Sequence, residues 1–126
     1  MSTIGHPLSD LVNLLNPYSL RHMAGKNELL RAFDDGVTSG LPTQEQVVAW
    51  YADVAGWDPS PDIPFGRAFG VLKYTVIYQG IAARYARRQA SSAQAKTNGQ
   101  MMHPMGEYAW ATVQEAKRRL GGGSKL

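Results

Sequence analysis

Apolar residues recur along this chain at intervals of three and four, the spacing that places them on one face of a helix. The first predicted helix opens at Pro7, because proline is favoured at the first helical position. It ends at Asn16-Pro17, because a residue before proline is pushed out of the helical region. A short helix is also expected at residues 27–33. The apolar face of the first helix consists of Leu8, Leu11, Leu14 and Leu15.

The second clear helix is followed by a proline-rich segment. Thr43 and Gln46 match the capping box that opens a helix, and Gly56 is placed to end it. Residues 57–64 contain three prolines, so we expect this segment to be extended and not helical. The apolar face of the helix consists of Val47, Trp50, Tyr51, Val54 and Ala55.

The third predicted helix, residues 65–89, is the longest. It is apolar over most of its circumference, which predicts a central position in the domain. Gly70 and Gly80 each cost about 1 kcal/mol relative to alanine inside a helix. We therefore expect them to mark the close approach of a neighbouring helix, with a bound ligand as the alternative. The repeating apolar positions are Phe65, Phe69, Leu72, Val76, Gly80 and Ala83, broadened by Val71, Ile77 and Ile81.

A fourth helical segment begins after Ser91 or Ser92, either of which can cap it. Asn98-Gly99 and Pro104 are expected to break or kink this segment. The methionines Met101, Met102 and Met105 are interpreted as adaptable core filler and not as metal ligands. The apolar face after the break consists of Met105, Tyr108, Ala109, Thr112, Val113, Ala116 and Leu120.

These elements predict an all-α domain, and 126 residues suit one compact domain. The apolar fraction of 44% and the charged fraction of 18% are those of an ordinary globular chain. The net charge of +3 is mild, and no nucleic-acid motif accompanies it, so a nucleic-acid-binding function is disfavoured. Charged residues interrupt the most apolar stretch, which excludes a membrane span there. The chain has no cysteine, which excludes disulfides and thiolate metal sites.

Most familiar catalytic motifs are missing from the sequence. It contains neither the glycine-rich phosphate loop that ends in Gly-Lys-Ser/Thr nor a GxGxxG motif. His6, His22 and His103 have no metal-ligand spacing, so we expect no metal site. Asp34-Asp35 lies beside glycine in a loop and is interpreted as a solvated turn. None of these residue patterns by itself indicates a catalytic or metal site.

Four segments nevertheless resemble one family, in the order in which that family carries them. Residues 2–11, STIGHPLSDL, resemble the STxG(D/H)PxxDL motif of the aminoglycoside phosphotransferase/choline kinase superfamily. Residues 40–51, GLPTQEQVVAWY, residues 79–92, QGIAARYARRQASS, and residues 104–110, PMGEYAW, are similar to motifs of one branch. That branch includes the kinase-like domain fused to acyl-CoA dehydrogenases in fatty-acid breakdown.

The resemblance implies the C-terminal helical subdomain of a protein kinase-like fold over residues 1–120. Family members transfer the γ-phosphate of ATP to a hydroxyl, and the branch is associated with hydroxyacyl-coenzyme A substrates. Phosphoryl transfer needs a nucleotide cradle, a lysine, a catalytic aspartate and a magnesium ligand. In the family all four lie upstream of the position of Met1, where an Asp-Trp-Glu triplet holds the magnesium. We therefore expect a truncated product that binds neither ATP nor Mg²⁺ and is inactive alone.

The resemblance also assigns roles to single residues. Asp10 corresponds to an aspartate that braces the catalytic loop, and without that loop it is left to cap or solvate its helix. Gln79, Arg84 and Tyr85 are the candidates for contact with substrate, because arginine suits the carboxylates and phosphates of coenzyme A esters. The alternative is an ion pair within the domain for Arg84 and a buried hydrogen bond for Gln79.

The last six residues, 121–126, are expected to form a flexible tail. Ser124-Lys125-Leu126 matches the peroxisomal targeting tripeptide, which implies an import receptor as partner and the peroxisome as location. A chance ending or a linker scar is the alternative. For the whole chain, the alternative to the fragment of a phosphotransferase is a standalone helical module that binds acyl-coenzyme A or a protein. In that case Leu8, Leu11, Val12 and Leu15 would form an exposed apolar stripe unless something covers them.

Overall fold

The computed structural model describes residues 5–23 and 28–121. Within these ranges the chain is helical and contains no strand, which confirms the all-α prediction. The chain divides into two compact units, Met1–Gly66 and Arg67–Leu126. The α-helices are α1 Leu8–Leu14, α2 Asn16–Leu20, α3 Glu28–Arg31, α4 Gln44–Ala55, α5 Ile63–Ala86, α6 Ala95–Gln100 and α7 Met102–Gly121, with 3₁₀ turns at Arg21–Met23 and Ser60–Asp62.

The first unit is built around the apolar face of α1. The helix starts where Leu8 N–H donates to His6 Nδ1 at 3.2 Å. The first helix ends at Leu14, just before Asn16-Pro17, as the sequence predicted. The chain then enters a second helix that was not predicted, because proline occupies the first turn of α2, where its missing N–H costs nothing. The core of this unit consists of Leu8, Leu11, Val12, Leu15, Tyr18, Val48 and Ile63.

The apolar stripe of α1 does not remain exposed, because other residues of the first unit cover it. Leu11, Val12 and Leu15 expose only 3%, 3% and 2% of their surface. Residues of α4 and α5 pack on them, and the aromatic rings of Phe33, Tyr51 and Trp57 close the edge of the cluster. The face is therefore covered within the first unit itself.

Helix α4 has the predicted ends but not the predicted face. Gln46 N–H donates to Thr43 Oγ1 at 3.2 Å and Thr43 N–H donates to Gln46 Oε1 at 2.9 Å, which confirms the capping box. Gly56, with φ of 67°, ends the helix. Val48 is the buried residue, whereas Trp50 and Val54 of the predicted face are 58% and 91% exposed.

The sequence predicted that the proline-rich segment before α5 is extended, but the structure shows a 3₁₀ turn there. Prolines can occupy the first turn of a helix. Here Pro59 precedes the 3₁₀ turn Ser60–Asp62, Pro61 lies within that turn, and Pro64 is the second residue of α5. Asp58 opens the turn: hydrogen bonds from the Ser60 hydroxyl and from Ser60 N–H hold the pKa of its carboxyl below the ordinary value of 3.8. Because Pro64 is tolerated in its first turn, α5 begins at Ile63, two residues before the predicted start.

In the second unit, α5 buries a different face from the one predicted. Ala68 and Val71 are buried, but Phe69, Leu72 and Val76 of the predicted central face are 46%, 49% and 59% exposed. The described part of α5 therefore carries an exposed apolar stripe, and no described helix is long and apolar enough to cross a membrane.

Helices α6 and α7 are separated by the break that was expected in the fourth helical segment. The break falls at Met101, while Pro104 is accommodated in the first turn of α7. Neither serine caps α6, which opens after Gln94 without a side-chain cap. Met105 is 2% exposed, in keeping with a role as core filler. The buried face of α7 consists of Met105, Ala109, Thr112 and Ala116, and from the predicted set Leu120 is exposed.

The close approach of helices in the second unit occurs at Gly99 and not at Gly80. A Cβ atom at Gly99 would lie 3.1 Å from Ala82 Cα, so the absence of a side chain lets α6 approach α5. At Gly80 the nearest atom is Arg84 Nη2, at 3.9 Å from a Cβ position. The predicted helix contact at Gly80 is therefore wrong.

Candidate functional site

Helix α5 ends in a Schellman motif, which turns the chain sharply. Gln89 N–H donates to Arg84 O at 2.8 Å and Arg88 N–H donates to Tyr85 O at 3.0 Å. Arg88 takes the left-handed conformation at this motif, with φ of 56°. Glycine usually occupies that position because a side chain there is strained.

The turn leads into a pocket of about 300 Å³, which we call the α5–α6 pocket. This volume is near the lower limit for small-molecule sites. Six of its eight lining residues belong to the segment 79–92 singled out in the sequence. The lining residues are Ile81, Arg84, Gln89, Ala90, Ser91, Ser92, Ala95 and Asn98.

The polar side chains that line the α5–α6 pocket are one cation, Arg84, and neutral groups that can both donate and accept hydrogen bonds. The Arg84 guanidinium supplies a positive charge and a planar set of N–H groups. Gln89 and Asn98 add amide groups, and Ser91 adds a hydroxyl. The Ser92 hydroxyl accepts from Gln94 N–H at 3.2 Å and donates to Gln94 Oε1 at 3.0 Å, which holds this part of the rim in place. No carboxylate lines the pocket.

The structure brings only part of the predicted substrate set together. All three side chains are exposed on α5, but Arg84 lines the pocket and Gln79 and Tyr85 do not. The alternative of a buried hydrogen bond for Gln79 is wrong, since its side chain is exposed. The alternative of an ion pair for Arg84 is also wrong for residues 5–23 and 28–121, where no carboxylate pairs with it.

The other predicted residues lie away from this pocket. Asp10 is exposed in the first turn of α1, in the first unit, where His6 and not Asp10 caps the helix. Ser124, Lys125 and Leu126 lie outside the described residues. Among the residues that are described, no group of three His, Asp or Glu side chains could hold a metal ion.

A charge asymmetry between the two units was missed when charge was considered over the whole chain. The first unit contains three Lys/Arg and eight Asp/Glu residues, a net charge of −5, while the second contains ten and two, a net charge of +8. The modest total of +3 conceals this difference. A count over each half of the sequence would have identified the second unit as the anion-attracting one.

We expect Arg88→Gly to stabilise the chain by about 1 kcal/mol, because glycine removes the strain of the left-handed conformation. Arg87→Gly is the matched control: Arg87 also lies at the end of α5, but its φ is negative, so glycine there should destabilise by about 0.5 kcal/mol. Urea unfolding followed by circular dichroism measures both. Destabilisation by Arg88→Gly would contradict the Schellman geometry.

Comparison with known proteins finds similarity to acyl-CoA dehydrogenase family members 10 and 11. The chain is 33% identical over 112 residues to acyl-CoA dehydrogenase family member 10 of Mus musculus, a match that covers 87% of the chain and 10% of the relative. It is 31% identical over 122 residues to acyl-CoA dehydrogenase family member 11 of Mus musculus, which covers 95% of the chain and 15% of the relative. The chain thus spans only 10–15% of the length of these curated relatives. No family model and no solved structure matches it.

Proposed function

We propose that the chain is the substrate-side helical part of a kinase-like phosphotransferase that phosphorylates a hydroxyl of an acyl-coenzyme A compound. The observation that carries the proposal is the α5–α6 pocket, which is lined by six residues of segment 79–92, including Arg84, a cation with no ion pair among the described residues. The names of the relatives support the acyl-coenzyme A class. The resemblance of the four sequence motifs to the aminoglycoside phosphotransferase superfamily supports the reaction type.

The exposed face of α5 also supports a place in a larger domain. Phe69, Leu72 and Val76 lie on one side of the helix and are about half exposed. Such a stripe is costly to leave in water and typically marks an interaction surface. We propose that the remainder of the kinase-like domain covers it.

Magnesium and ATP do not fit the described residues that line the α5–α6 pocket. The pocket contains no carboxylate to ligate Mg²⁺, and the sequence has no glycine-rich loop for the phosphates of ATP. We therefore assign substrate contact to this chain and derive no phosphoryl-transfer step from it.

Calorimetry on residues 1–126 tests the proposal. We expect a hydroxyacyl-coenzyme A to bind saturably at one site, without dependence on Mg²⁺, and we expect no heat of binding from Mg²⁺-ATP. Tight, Mg²⁺-dependent binding of ATP would show that the chain contains catalytic machinery. Absence of hydroxyacyl-coenzyme A binding would remove the substrate assignment.

A second candidate function is a standalone helical binding module for acyl-coenzyme A or a protein. The observation that favours it is the complete burial of the α1 face within the first unit, since Leu11, Val12 and Leu15 need no further partner. Analytical ultracentrifugation and urea unfolding separate the two candidates. A monomer that unfolds cooperatively favours the standalone module, whereas self-association or a molten state favours the larger domain.

We also propose that Ser124-Lys125-Leu126 directs the chain to the peroxisome through the import receptor. A fluorescent protein fused to the N-terminus should enter peroxisomes, and removal of the tripeptide should abolish entry. Equal distribution of both fusions would reject the address.

A further inference from the structure

We propose that the α5–α6 pocket binds phosphate groups of small molecules, and that Arg84 is the residue that recognises them. Where the ligand is the coenzyme A part of the substrate, this inference rests on the proposed function. Binding of a free phosphate compound at the pocket does not.

The first support is the net charge of the sequence segment that contains the pocket. The sequence contains no Asp or Glu from residue 63 to residue 106. The same stretch carries the cations Arg67, Lys73, Arg84, Arg87, Arg88 and Lys96, of which Arg84 lines the pocket. A net positive charge raises the local concentration of anions, and a concave surface focuses this field.

The second support is the chemistry of the lining. Arginine donates two parallel N–H groups, which match two oxygens of a phosphate. The hydroxyl of Ser91 and the amides of Gln89 and Asn98 can donate to the remaining oxygens. Because no carboxylate lines the pocket, nothing there repels a phosphate or competes for Arg84.

The third support is the position of the Arg84 side chain. Its Nη2 atom lies 3.9 Å from where a Cβ of Gly80 would stand, so the guanidinium folds back along α5 by one turn. Gly80 leaves that side of the helix open beside the guanidinium. The guanidinium therefore lies along the surface of α5, where Arg84 is exposed to solvent and to an incoming anion.

Arg84, in the last turn of α5, differs in its contacts from the arginines in the last turn of α7. Both helices carry arginines in the last turn, where cations are favourable. In α7, Arg118 and Arg119 both pair with Glu115. In the described part of α5, Arg84 has no such carboxylate and instead lines a pocket.

The observations favour a small molecule over a nucleic acid or a membrane. The pocket is concave and of small-molecule size, and Arg87 and Arg88 do not line it. A nucleic acid or an anionic membrane would bind through a row of exposed cations and would not depend on one arginine. Arg84 therefore distinguishes these ligands experimentally.

The experiment is titration of ¹⁵N-labelled residues 1–126 with inorganic pyrophosphate, followed by NMR and calorimetry. We expect shifts at residues 89–92, at Asn98 and at the Arg84 side chain. Arg84→Gln should weaken binding by about tenfold, because it removes a charge-assisted pair of hydrogen bonds. Arg84→Lys keeps the charge but loses the planar fork, so its affinity for pyrophosphate should lie between those of the wild-type chain and of Arg84→Gln.

Arg118→Gln is the matched control, since it removes one exposed positive charge from the same unit. We expect it to weaken pyrophosphate binding by less than about twofold, because Arg118 does not line the pocket and its charge is paired with Glu115. Equal losses in Arg84→Gln and Arg118→Gln would overturn the proposal, since they indicate only nonspecific attraction. Absence of pyrophosphate binding would also overturn it. The proposal would also be overturned if the chain bound duplex DNA or phosphatidylserine vesicles more tightly than pyrophosphate and if Arg84→Gln left that binding unchanged.

Coenzyme A and a hydroxyacyl-coenzyme A provide the final comparison. If pyrophosphate binds through Arg84 but neither coenzyme A compound binds, the phosphate site stands and the proposed function fails. If the hydroxyacyl-coenzyme A binds equally well to the wild-type chain and to Arg84→Gln, the proposed function stands and the phosphate site fails.

Discussion

Leu15→Ala is expected to destabilise the first unit by about 2–5 kcal/mol, because it removes a fully buried side chain and leaves a cavity. Leu15 is only 2% exposed and belongs to the core cluster of α1, α4 and the start of α5. Urea unfolding monitored by far-UV circular dichroism and by tryptophan fluorescence measures the loss. Trp57 packs against this cluster and Trp50 lies nearby on α4, so fluorescence should report on the first unit.

Leu14→Ala is the control, because the same deletion is made one residue earlier. Leu14 is 65% exposed. The substitution should change the free energy of unfolding by less than about 0.5 kcal/mol, as for most exposed positions. Similar losses at both positions would mean that the buried face of α1 is not the one that the structure shows.

This pair of leucines also marks the limit of what periodicity can predict. The spacing placed Leu8, Leu11, Leu14 and Leu15 on one apolar face, and the structure confirms a helix there. It could not separate Leu14 from Leu15, because the residues that cover the face, Val48 and Ile63, come from distant segments. The same limitation explains why the sequence left open whether anything covers the apolar stripe on α1.

Helix α5 illustrates the opposite error. Its length and composition predict a long helix correctly, but its apolar residues surround most of the circumference, so the pattern does not select a buried side. The small residues Ala68 and Gly70 lie on the buried side next to Val71, while Phe69 and Leu72 remain half exposed. The sequence pattern overweights large side chains, whereas close packing here uses small ones.

The ends of helix α4 were predicted more accurately than the buried faces of the helices. The capping box at Thr43 and the stop at Gly56 were predicted correctly, because both depend on bonds within one or two turns. The end of α5 was placed three residues too late, since the left-handed residue of its Schellman motif is Arg88 and not glycine. That turn forms the α5–α6 pocket, so its geometry could not be predicted from the sequence.

Of the predicted site, Arg84 is the residue that the structure places in a pocket. Segment 79–92 was selected by resemblance, and its later part, residues 89–92, proved to line the same pocket. Residues four apart on a helix share a face, but Gln79 and Arg84 are five apart, so the helix separates them. Tyr85 directly follows Arg84 and likewise points elsewhere.

Two glycines of α5 should respond to the same substitution with opposite signs. Gly66→Ala would bring a Cβ into collision with Val12 Cγ1 and into tight contact with Leu8, whose Cγ would lie at 3.3 Å. Both side chains are in the core of the first unit and valine has little rotamer freedom. Overpacking of this kind costs about 1–3 kcal/mol, which exceeds the gain in helix propensity of about 1 kcal/mol.

Gly80→Ala should instead stabilise the second unit by about 1 kcal/mol, because alanine favours the helix and only Arg84 Nη2 lies within reach, at 3.9 Å. Thermal and urea unfolding of both variants gives the two signs. If both substitutions stabilise, α1 does not pack against the start of α5 as closely as the structure shows. If Gly80→Ala destabilises, another surface covers that position, and the open side of the helix beside Arg84 is not available to a ligand.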